Sequence, residues 1–140
     1  MKKIILILFI TVFVKAGQAQ TFGVPDTLIY LQTLVANKSQ FIGQPFSKLA
    51  DSLKLQIKYF SPTASLPYDM TKETSTTFAF YYPGTSSEFY LIYPYLEVYW
   101  HPFLNGDQSN KLFRYFGGVW TPSVKTFYST GVVADIKMVD

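Results

Sequence analysis

Hydrophobic and polar positions change period along this chain. Met1-Lys2-Lys3 opens it, and Ile4 to Val14 follows with Thr11 as the sole polar residue. Downstream, Leu28, Leu31, Leu34 and Val35 fall on one helical face behind Asp26, whose carboxylate suits a helix N-cap. This helix is expected to end near Asn37-Lys38. A second short helix is expected after Gly43-Gln44-Pro45, with Phe46, Leu49 and Leu53 inward.

The period then falls to two. Leu55, Ile57 and Tyr59 alternate with Gln56 and Lys58, which predicts a half-buried strand. Ser61 to Glu73 reads as a loop, Thr76 to Tyr82 as a strand and Pro83 to Ser87 as a turn. Glu88 to His101 predicts a long aromatic strand, kinked at Pro94, which has no N–H for the ladder. Asn105-Gly106 is a hairpin-turn signal. The alternative, a helix from Gln108 to Phe116 capped by Asp107 and ended by Gly117, is favoured. At the tail, Val124 to Tyr128, a Ser129-Thr130-Gly131 turn and Val132 to Val139 predict a hairpin, with Val132, Ala134, Ile136 and Met138 on one face. The expected fold is α+β: two N-terminal helices, a mainly antiparallel sheet of about five strands, and a short helix before the C-terminal hairpin.

The opening segment changes the account of charge. A basic start, eleven mostly apolar residues and the exit Lys15-Ala16-Gly17-Gln18-Ala19-Gln20 predict a cleavable signal peptide over residues 1–19, leaving 20–140 as one domain. The run is too short for a spanning helix, which needs about 20 apolar residues, so no membrane anchor is expected after cleavage. Location is expected to be periplasmic or secreted. The chain has no cysteine, which excludes a lipid-carrying cysteine and disulfide staples. Three of its twelve basic residues (Lys2, Lys3 and Lys15) lie in the leader, so residues 20–140 carry nine basic and nine acidic side chains. With no basic run left, a nucleic-acid partner is not expected.

Between Phe78 and Phe103 eleven of twenty-six residues are aromatic. In a regular strand from 88 to 101, Tyr90, Ile92, Pro94, Leu96, Val98 and Trp100 share one face, which is apolar and should be core. Phe89, Leu91, Tyr93, Tyr95, Glu97, Tyr99 and His101 share the other. Tyrosine offers a flat apolar ring and a hydroxyl, which suits sugars and peptides. Tyr93, Tyr95, Glu97, Tyr99 and His101 are therefore the candidate binding residues. Burial of this face by another layer is the competing account, since aromatics are common in strands.

Catalytic signals are weak. His101 is the only histidine, so a metal centre lacks ligands and no cofactor is expected. A serine triad would have to use His101, without a G-x-S-x-G elbow. Glu88, Glu97, Asp107 and Asp135 show no spacing that selects a carboxylate pair. Asp69 and Glu73 lack a calcium-loop pattern, and Gly117-Gly118 lacks the lysine of a phosphate loop. The function expected is an exported, non-enzymatic binding domain for a peptide, glycan or protein partner. The alternatives are a small cell-envelope hydrolase using His101 and a structural accessory domain that homodimerises.

Overall fold

A computed structural model describes residues 26–83 and 93–140. The expected signal peptide, the Gly84 to Ser87 part of the turn and the first part of the long strand lie outside these residues. Those described form an α+β fold with four α-helices and a four-stranded antiparallel sheet, in the order β1-β2-β3-β4. The elements are α1 (Thr27–Ala36), a 3-10 turn (Lys38–Gln40), α2 (Phe46–Ser52), β1 (Tyr59–Thr63), β2 (Lys72–Ala79), β3 (Tyr95–Asn105), α3 (Gly106–Phe116), α4 (Pro122–Ser129) and β4 (Val133–Val139).

Local chemistry sets the helix ends. Asp26 Oδ1 accepts the Ile29 N–H at 3.0 Å, as the sequence predicts. Leu31 and Leu34 are buried, but Leu28 lies at the exposed edge of that face. The helix after β3 also exists, but its cap is Asn105, whose Oδ1 accepts from Gln108 N at 2.9 Å, and not Asp107. Gly117 ends it in the left-handed region.

Other sequence expectations need correction: the described residues form a sheet of four strands, not about five, and β3 runs on to Asn105, past the expected end at His101. The expected strand Leu55 to Tyr59 begins only at Tyr59 and runs on to Thr63, into the expected loop. The next strand begins at Lys72, earlier than expected, and ends at Ala79. Val124 to Tyr128 belongs to helix α4, so no C-terminal hairpin forms. Thr121 accepts the Val124 N–H and Pro122 occupies the first turn, a strong helix start. Val124 and Tyr128, four apart, then meet the core together. Finally, β4 carries a bulge: Tyr99 pairs with Asp135 and Trp100 with Val133, leaving Ala134 unmatched. Val133 and Ile136 therefore share the buried face, and Val132 does not continue the Ala134-to-Met138 parity.

The core lies between one sheet face and the helices. Phe60, Phe78, Leu96, Val98, Trp100 and Ile136 from the sheet join Leu31, Phe46, Leu49, Val124 and Tyr128. Phe46 stacks on Phe78 at 4.7 Å, and Trp100 on Tyr128 at 5.8 Å. Burying these large rings supplies most of the favourable free energy of a cysteine-free domain.

Both sheet edges are partly covered by the chain itself. On β1, Phe60 N–H donates to Gly118 O at 2.8 Å, and Trp120 N–H donates to Lys58 O at 3.0 Å. On β4, Gly43 N–H donates to Val133 O at 2.8 Å, and Val133 N–H to Gln44 O at 3.0 Å. Such covers hinder pairing at the starts of β1 and β4. The β1 cover requires glycine. Gly118 has φ +79°, and a Cβ there would lie 2.2 Å from Tyr59 Cε2.

Candidate functional site

The sheet face away from the core forms a grid of cross-strand neighbours. One row runs Tyr59, Ala79, Tyr95, Val139; the next Ser61, Thr77, Glu97, Lys137; the third Thr63, Ser75, Tyr99, Asp135. Ala79 and Tyr95 nucleate a small cluster with Tyr59, Tyr81 and Val139, and no described helix residue joins it.

The even positions Leu96, Val98 and Trp100 are in the core, as parity requires. The odd positions divide. Tyr93 is 53% exposed and its ring packs against Tyr81 at 4.6 Å. Tyr95 is only 8% exposed and packs in the cluster of Ala79, Tyr59, Tyr81 and Val139. It supports the face and offers little contact area. Glu97 and Tyr99 are half-buried, and His101 is exposed.

Glu97 and Tyr99 form the organised part. Ser75 Oγ donates to Glu97 Oε1 at 2.9 Å, and the Tyr99 hydroxyl donates to Glu97 Oε2 at 2.8 Å. Lys137 Nζ lies 4.5 Å from the Tyr99 ring centroid and 3.4 Å from its hydroxyl. Burial raises the Tyr99 hydroxyl above its ordinary pKa of 10.0, and its bond to Glu97 adds to the rise. The result is a fixed carboxylate, hydroxyl and ammonium against an aromatic ring. Ser75 and Lys137 were not candidates in the sequence, because only strand register makes them neighbours of Glu97 and Tyr99.

His101 stands apart. It lies where Trp100 to Phe103 of β3 bulge out opposite Thr74, and its peptide bond to Pro102 is cis. Its backbone N–H donates to Val132 O at 3.1 Å. Among the described residues its side chain has no carboxylate or hydroxyl partner that would make it a base. Nor do the described residues contain a cluster of three or more His, Cys, Asp or Glu fit for a metal. None of their helices is long and apolar enough to cross a membrane.

A second polar cluster lies inside the core. Glu73, expected in a loop, sits on β2 at 1% exposure. The irregular register between Glu73 and Ser75 lets Glu73 and Thr76, three apart, point to the same side. Glu73 Oε1 accepts from the hydroxyls of Thr76 and Tyr128, the latter at 3.0 Å. Trp100 Nε1 donates to Thr76 Oγ1 at 2.8 Å. Glu73 Oε2 is buried with no partner among the described residues. Burial pushes the Glu73 carboxyl above its ordinary range, against the opposing pull of Ser109, Thr76, Tyr128 and Trp100. This cluster is sealed from solvent and holds β2, β3 and α4 together.

Compared with protein-family models, with curated proteins and with solved structures, the chain matches none.

Proposed function

We propose that the protein is an exported, non-enzymatic binding domain, periplasmic or secreted, whose outer sheet face meets a peptide, a glycan or a partner protein. The observation that carries this reading is the Ser75–Glu97–Tyr99–Lys137 cluster, set in place before any ligand arrives. A preset polar group beside an aromatic ring loses little freedom on binding, which favours recognition. The exposed ring of Tyr93, two residues before β3, packs on Tyr81 of the outer-face cluster and adds a flat apolar surface.

The test compares the protein with a Tyr93→Ala/Tyr99→Ala variant on arrays of oligosaccharides and capped tetrapeptides. Circular dichroism checks that the fold survives. Compounds that bind the protein should bind the double variant at least about tenfold more weakly, the order expected from removing two aromatic contacts. Unchanged binding of every compound would overturn the reading.

A further inference from the structure

Residues 53–57 alternate as a strand does. Leu53 and Leu55 are half-buried, Ile57 is buried, and Lys54 and Gln56 are exposed. No strand among the described residues pairs with Leu55 to Ile57, since the β1 ladder starts at Tyr59. Their inward side chains instead wall a cleft of about 370 Å³, completed by Ala50 of α2, Lys125 of α4 and Trp120.

The inner wall of this cleft is apolar and rigid. The Trp120 ring meets Phe78 edge-on at 5.5 Å and stacks on Tyr128 at 6.0 Å, so it is continuous with the core. Charge at the cleft is mainly positive. Lys54 and Lys125 line it, and Lys58 is held close by Gln56 at 2.9 Å. Among the described residues, the ion pair at the cleft is that of Lys125 with Asp51, at 3.0 Å. The Lys54 ammonium has no ion pair among the described residues.

We propose that this cleft, separate from the sheet face, binds a small amphipathic carboxylate such as a medium-chain aliphatic or an aryl acid. The apolar tail lies against Leu55, Ile57 and Trp120, and the carboxylate lies between Lys54 and Lys125, displacing Asp51 from the latter. Ligand clefts span roughly 300–1,000 Å³, so this volume selects a small molecule. Its charge complementarity selects an anion over a cation or a neutral compound.

Octanoate, and octanol as its neutral counterpart, are the probes, titrated into the ¹⁵N-labelled protein. Octanoate should saturably shift the Trp120 indole N–H and the amides of residues 54–57, binding about fivefold or more tighter than octanol, as one screened ion pair provides. A Lys54→Gln/Lys125→Gln variant should lose that preference while octanol binding persists. Equal binding of the two probes, or shifts elsewhere, would overturn the proposal. So would shifts caused by a capped acidic tetrapeptide but not by octanoate, which would favour strand addition to Leu55–Ile57. Octanoate shifts at Glu97 and Tyr99 would bear on the sheet face, so the two proposals fail separately.

Discussion

The hydroxyl of Tyr128 on α4 donates to Oε1 of Glu73 on β2 across 3.0 Å of enclosed core. Tyr128 also stacks on both Trp100 and Trp120. One side chain thus joins the buried polar cluster to the aromatic core. Tyr128→Phe keeps the ring and removes the donor. It should lower unfolding free energy by about 1–3 kcal/mol, the cost of leaving a buried acceptor poorly satisfied. Urea denaturation with an unchanged slope would check this.

Glu73 makes stability depend on pH. Its native pKa is raised above the ordinary value near 4.5 by burial, so the folded state holds the proton more tightly than the unfolded chain. Its contribution is fully present below about 4.5 and is lost as pH rises through the raised native value. Asp69 and Asp135 act in the opposite sense: their lowered pKa values favour the fold above about 3.8 and lose effect as pH falls. Glu73→Gln, which cannot ionise, should flatten the decline in melting temperature from mildly acidic to neutral pH. An equally steep decline in the variant would place its origin elsewhere.

The β1 edge cover gives a paired test. Gly117 and Gly118 both have positive φ, but a Cβ at 117 meets open space and one at 118 meets the Tyr59 ring. Gly117→Ala should cost about 1–2 kcal/mol, the penalty for an L-residue in the left-handed region. Gly118→Ala should cost clearly more, because the ring must also move. Equal costs would mean that Tyr59 gives way freely.

The parts of the fold legible in sequence are those set by neighbouring residues. Asp26 and Gly117 mark helix ends because capping is local. Leu96, Val98 and Trp100 obey parity because β3 alternates regularly up to Trp100, where its pairing with β2 breaks. Val124 to Tyr128 misleads because it mixes β-branched and aromatic residues, and Thr121-Pro122 decides for a helix. Alternation at Leu55 and Ile57 reports burial correctly, but a ladder also needs a partner, which local pattern does not contain. The bulges at Thr74 and Ala134 follow from pairing between distant segments, so the inward turn of Glu73 and the shared face of Val133 and Ile136 were hidden. Of the candidate residues, Glu97 and Tyr99 come together, while Tyr95 is buried and His101 stands apart. Tyr95 packs with Ala79 and Val139, neighbours that only register brings beside it.

The outer sheet face as the contact surface is tested most directly by mapping a bound compound. The strongest binder from the oligosaccharide and tetrapeptide arrays would be titrated into ¹⁵N-labelled protein. The account predicts saturable shifts at Ser75, Thr77, Glu97, Tyr99 and Lys137. Saturable shifts confined to Leu55, Ile57 and Trp120, or to the outer side of α3 around Tyr115, would contradict it.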